Sequence, residues 1–142
     1  SKAMTTVCIT VATGDTLILP CAGPCNVGQL SLQAAVALTD RGFGRVFALA
    51  GIAAGIESFV SEARSSKVLV AIDGCSTACT RRIIEQNGIA CRNHLVITDL
   101  GIDRDATLHP GPEQLELVVD AVQACCAEAR PIVRLGGCMC GI

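Results

Sequence analysis

The chain of 142 residues carries ten cysteines, and a thiolate is both a nucleophile and a metal ligand. Six of them follow runs of strand character. Cys21 and Cys25 come after Thr16 to Leu19, Cys75 and Cys79 after Lys67 to Ile72, and Cys138 and Cys140 after Ile132 to Leu135. The first two pairs share the spacing C-x3-C, and each stands where a strand should give way to a helix. Free N–H groups and the dipole at a helix start favour the thiolate, the form that binds metal. Two such pairs point to a metal site, although their spacing departs from the commonest zinc patterns. Cys75 and Cys79, four residues apart at a helix start, are expected to share one face. Cys138 and Cys140 could complete that site, hold a second ion or act as a redox pair. Cys8, Cys91, Cys125 and Cys126 read as structural, with Cys91 ahead of a strand and Cys125 extending the apolar stripe of a helix.

The elements that would position these thiols alternate. Val7 to Ala12 and Thr16 to Leu19 read as strands, with a turn at Thr13-Gly14-Asp15 between them. Asn26 fits a helix N-cap, with Gln29 at the capping-box position. Leu30, Ala34 and Leu38 form one stripe of that helix, and Gly42 ends it. Arg45 to Leu49 reads as a strand and Ala50 to Gly55 as a Gly-rich loop, followed by a helix with Ile56, Phe59, Val60 and Ala63 on one face. Lys67 to Ile72 is a buried strand, and a helix is expected from about Ser76 to Gln86. His94 to Thr98 is a further strand, and Gly101 to Gly111 an exposed loop. Pro112 suits the first turn of a long helix, and Ile132 to Leu135 a last strand. The pattern predicts a single three-layer α/β domain, residues 4–142 with Met4 as the natural start, built on a mostly parallel, Rossmann-like sheet. Loops that follow parallel strands share the carboxyl edge, where ligands bind. The cysteine site is therefore expected there.

Other polar residues are less telling. Asp73 could orient a ligand or accept backbone N–H bonds, or simply close the turn. The Gly51–Gly55 loop could approach an anion or serve tight packing. His94 and His109 read as surface residues rather than ligands.

Composition narrows the function classes. Apolar residues make up 51 % of the chain, enough for a core, and the formal net charge is −2. No basic stripe or aromatic ladder supports nucleic-acid binding. No apolar run reaches the roughly 20 residues of a membrane span, and the N-terminus has no signal-peptide pattern. Regular apolar periodicity argues against a secreted disulfide scaffold and for a reducing, cytoplasmic setting. A homo-oligomer or a protein partner stays open.

The segments Cys21-Ala22-Gly23-Pro24-Cys25-Asn26-Val27-Gly28-Gln29, Leu49-Ala50-Gly51-Ile52 and Ile72-Asp73-Gly74-Cys75 with Cys79 resemble the DGC-motif family, named for its central Asp-Gly-Cys. The resemblance runs from about Cys21 to Gly101, through Thr98-Asp99-Leu100-Gly101. It implies zinc held by four cysteines. Carried over, these are Cys21, Cys75 and Cys79, with Cys25, Cys138 or Cys140 as the fourth. It implies no reaction.

Three chemistries compete. Four thiolates would close a tetrahedral zinc site, though thiolates also suit an iron–sulfur cluster or copper(I). Cys75 to Arg81 also fits C-x5-R, the arrangement of cysteine-dependent phosphatases and arsenate reductases, in which the thiolate attacks and the arginine binds the oxyanion. Thiol redox or sulfur transfer could instead use Cys138 and Cys140 against the cluster.

Overall fold

A computed structural model of the chain describes residues 16–129. Strand β1 (Thr16–Pro20) runs into helix α1 (Asn26–Asp40), and β2 (Arg45–Val46) follows. Helices α2 (Leu49–Ala53) and α3 (Glu57–Ser65) lead to β3 (Val68–Asp73), and α4 (Cys79–Gln86) leads to β4 (Asn93–Val96). A 3-10 turn, Ile97–Leu100, and a loop precede α5 (Pro112–Ala129). The strands are all parallel, in the order β2-β1-β3-β4.

Both faces of the sheet are covered, which explains its unbroken apolar strands. Along β1 and β3 successive residues alternate between two cores. Ile18, Val70 and Ile72 pack with Leu30, Ala34 and Leu38 of α1 and Val118, Val119 and Val122 of α5. Leu17, Leu19, Leu69 and Ala71 pack on the other side with Ile52, Val60, Ala63 and Ile84. This is the expected three-layer α/β domain. Each fully buried Leu or Ile contributes about 2 kcal/mol of transfer free energy.

The sequence path also sets where a ligand can sit. From β1 the chain steps to β2 on one side, then crosses to β3 on the other side of β1. The strand order reverses between β1 and β3, and such a switch point opens a crevice beyond the carboxyl ends of the two strands. Cys21 follows β1 and Cys75 follows β3, so the crevice lies between the two C-x3-C loops.

Several local expectations need correction. The Ala50–Gly55 stretch is largely helix α2, because Gly51 lies directly against the Phe59 ring. The expected Arg45–Leu49 strand shortens to two exposed residues, Arg45–Val46. The N–H of Val46 is taken by the Thr39 hydroxyl. Ile56 stands outside α3 as its N-cap and is exposed, leaving Val60 and Ala63 as the buried face. In α5 it is Cys126 that is buried in the core, with Cys125 half-buried beside it. Among the described residues no helix is long and apolar enough to cross a membrane. The Val7 to Ala12 and Ile132 to Leu135 strands, Cys8, Cys138 and Cys140 lie outside the described residues.

Candidate functional site

The first cysteine loop is held by backbone contact. The N–H of Cys21 donates to Ile72 O of β3 at 3.0 Å, tying the loop to the neighbouring strand. Ala22 follows with φ of 53°, the left-handed region that costs a Cβ-bearing residue free energy. The chain turns back there, and the Ser31 hydroxyl of α1 secures the turn, accepting from Ala22 N at 3.0 Å. The same oxygen lies 3.5 Å from Cys21 Sγ. Cys25, not Asn26, is the N-cap of α1, in extended backbone and with no side-chain capping bond. Asn26 is the first helical residue because its side chain is used elsewhere, on the loop after β4. Gln29 does not close a capping box; its amide donates to Gly23 O at 3.1 Å.

The second loop packs against the first. The Gly74 N–H donates to Cys21 Sγ at 3.3 Å. A Cβ on Gly74 would come within 2.8 Å of the Val27 carbonyl carbon, and one on Gly28 would run into the Gly23 backbone. The glycine of Asp-Gly-Cys is thus required by the approach of two backbones, which sets the Asp73–Cys75 turn against the Cys21 loop.

Cys75 does not enter the helix. A turn closes from Ala78 N to Cys75 O at 3.0 Å, Ala78 takes φ of 55°, and α4 begins only at Cys79. The expected helix from Ser76 is therefore shorter, and Cys75 and Cys79 do not share a helical face. Cys75 is half-buried against the α1 core, whereas Cys79 is exposed. Two adjacent left-handed turns, at Ala22 and Ala78, mark this edge as the place where backbone strain is stored.

Asp73 supplies what α4 lacks in a capping side chain. Its buried carboxylate accepts from Thr80 N at 2.8 Å and from Arg81 N at 3.2 Å. It also meets His94 Nε2 at 2.8 Å. Of the roles expected for it, the structure shows the acceptance of backbone N–H bonds. His94 belongs to this network rather than to the open surface, with its side chain 16 % exposed. Arg81 turns away to pair with Glu85 at 2.9 Å. In the C-x5-R arrangement the arginine is thus paired with Glu85, and the Thr80 and Arg81 N–H groups are bound to the Asp73 carboxylate.

A third loop reaches the same edge. It follows β4 and is pinned by Asn26, whose Nδ2 donates to Asp103 O at 2.8 Å and whose Oδ1 accepts from Asp105 N at 2.7 Å. Between those anchors stands Arg104, whose guanidinium is held above its ordinary range chiefly by Cys25 and more weakly by the Cys75 charge. Sequence reasoning missed Arg104, reading Gly101 to Gly111 only as an exposed loop. The rule that places every post-strand loop at the carboxyl edge would have found it.

The Cys75 thiol is held below its ordinary range. The Thr77 hydroxyl is the largest cause, joined by the Thr77 N–H and the Arg104 charge, against partial burial and the Asp73 carboxylate. Cys21, Cys25 and Cys75 stand on adjoining loops, and they, Cys79 and Cys91 are all free of disulfides. Among the described residues no three His, Cys, Asp or Glu side chains form a group that could hold a metal ion. The donor set still suits a thiophilic cation. Zinc with four thiolates carries a net double negative charge, and the guanidinium at Cys25 and the N–H on Cys21 are the groups that would offset it.

Over 88 residues, 62 % of this chain and 67 % of the other, the sequence is 26 % identical to the Anaerobic and virulence modulator AnvM of Pseudomonas aeruginosa. No solved structure matches the chain significantly. The family model of the DGC domain matches residues 17–122, which span both cysteine loops, the Asp73-Gly74-Cys75 turn and the Arg104 loop. The chain belongs to the DGC domain family.

Proposed function

We propose that this protein binds zinc through cysteine thiolates at the β1/β3 switch point, with Cys21, Cys25 and Cys75 as the inner ligands once the ion draws their sulfurs closer than they stand here. Cys79, Cys138 and Cys140 are the remaining candidates to complete the set. The observation that carries this reading is the docking of the two cysteine loops, in which the Gly74 N–H donates to Cys21 Sγ at 3.3 Å. A fourth protein thiolate would make the ion structural or cargo, whereas an open position would let it polarise a water. The protein's own part is to hold the sulfurs on rigid turns, surround them with donors and keep Cys75 ready as thiolate. A carrier or regulatory role fits a site made mostly of sulfur, and the family relative AnvM is named a modulator.

Metal analysis of protein purified without oxygen tests the reading. About one zinc per chain, lost in Cys75→Ser, is expected of a thiolate site. Iron with a visible charge-transfer band would replace zinc by an iron–sulfur cluster. A metal-free protein with reactive thiols would refute metal binding.

A further inference from the structure

The edge of the sheet opposite the cysteine loops holds a cavity of about 160 Å³, a volume that admits one benzene-sized molecule in other proteins. It opens between the end of α3, the amino ends of β3 and β4, and the connection from α4 into β4. Leu69, Ile89 and Asn93, each less than a tenth exposed, form its floor. Its rim is cationic. Exposed Arg64, Lys67 and Arg92 line it, and no described residue on it is acidic. In a chain of net charge −2, three cations around one small cavity are a local imbalance.

The nearby helix ends do not account for that imbalance, because their carbonyls are filled mainly from within. Ala63 O accepts from Ser66 N at 3.3 Å and from Ser66 Oγ at 2.8 Å. Beyond α4, the N–H groups of Asn87, Gly88 and Ile89 bond to Ile83 O, Glu85 O and Ile84 O. Asn87 O accepts from Arg64 Nη2 at 2.8 Å, which fixes that guanidinium at the rim with donors to spare. Arg92 has no ion pair or hydrogen bond with a described residue, whereas Arg41, Arg45 and Arg81 each have a glutamate. On the floor, Asn93 Nδ2 donates to Leu69 O at 3.1 Å, and Asn93 Oδ1 has no partner. A buried acceptor left open costs free energy. A hydroxyl on a bound molecule is the group that would fill it.

We propose that this cavity binds a phosphate group that keeps a proton, with its charge on Arg64, Lys67 and Arg92 and its P–OH turned toward Asn93. Guanidinium forks match phosphate oxygens, and hydrogen phosphate brings the O–H that sulfate lacks at neutral pH. Free phosphate and a phosphate monoester share this chemistry. The inference goes beyond the zinc reading, lies at the other edge of the sheet and needs no metal.

Calorimetric titration of the full chain with inorganic phosphate, at fixed ionic strength, tests it. Saturable binding with a Kd near or below about 1 mM is expected. Arg92→Gln, which breaks no contact among the described residues, should weaken it about fivefold at an unchanged melting temperature. Arg64→Gln added to it should weaken binding further, although Arg64 also ties the end of α4, so the single variant carries the test. Arg81→Gln, at the cysteine edge, should leave affinity unchanged, and sulfate should bind more weakly than phosphate. Glucose 6-phosphate separates the two sources: tighter binding than inorganic phosphate supports an ester, weaker binding supports the free ion. No saturation by about 10 mM would overturn the proposal. So would equal losses in Arg92→Gln and Arg81→Gln, or sulfate binding as well as phosphate. Binding that requires zinc and survives Arg92→Gln would overturn it too, because the anion would then sit on the metal and the zinc reading would stand.

Discussion

The two C-x3-C pairs have the same spacing and stand at equivalent strand-to-helix junctions, but they present their sulfurs differently. In the first pair the loop turns inward at Ala22, so Cys21 reaches the neighbouring loop and Cys25 is buried as the N-cap of α1. In the second, the left-handed turn falls late, at Ala78. Cys75 stays at the crevice and Cys79 begins the helix exposed. The helix starts differ as well. That of α4 is filled by the Asp73 carboxylate, whereas that of α1 is served by Cys25, Asn26 and the Arg104 loop. Identical spacing therefore gives one inward pair and one split pair, decided by which residue takes the positive φ and by which group satisfies the helix start.

The largest effect should come from removing the carboxylate that sets the second loop. Asp73→Ala leaves one buried and one part-buried backbone N–H group and His94 without their acceptor, and should cost about 3 kcal/mol in chemical denaturation. Asp73→Asn keeps an acceptor and should lose less. Equal losses would mean that shape rather than capping holds the loop.

Gly74→Ala tests the docking of the two loops. The added methyl meets Val27 backbone, which cannot swing away as a side-chain end can, so about 2 kcal/mol should be lost. A stable Gly74→Ala protein with unchanged thiol reactivity would show that the loops are not coupled.

Sharpening the contrast within the second pair calls for a pH profile. In metal-free protein the Cys75 thiol is depressed, so its thiolate survives as pH falls toward neutrality. Its alkylation rate should reach half-maximum below the ordinary thiol value of about 8.5. Thr77→Val removes the hydroxyl that contributes most and should move the midpoint upward. A midpoint that stays put in Thr77→Val would remove the Thr77 hydroxyl from the account.

The smallest effect separates buried from exposed sulfur. Cys25→Ala should cost about 1 kcal/mol, while Cys79→Ala should fall within about 0.5 kcal/mol of the parent. The reverse order would contradict the inward placement of the first pair.

The sequence made the layered architecture readable because a parallel sheet covered on both faces leaves plain apolar strands, as at Thr16 to Leu19 and Lys67 to Ile72. The edge on which Cys21 and Cys75 meet followed from topology. What stayed hidden depended on contacts across long sequence separation. Ala50 to Gly55 looked like a loop because its glycines suggested flexibility, whereas Gly51 makes room for Phe59. Asn26 looked like a cap because its partners, Asp103 and Asp105, are more than seventy residues away. The late start of α4 was invisible because an alanine, not a glycine, takes the left-handed turn at Ala78.

The most direct test of the central claim is X-ray absorption at the zinc edge of the loaded protein. A thiolate site at the β1/β3 crevice predicts a first shell dominated by sulfur at about 2.3 Å, with sulfur lost in Cys21→Ser and Cys75→Ser. A shell of nitrogen and oxygen at about 2.0–2.1 Å, unchanged in both variants, would place the metal elsewhere and contradict the account.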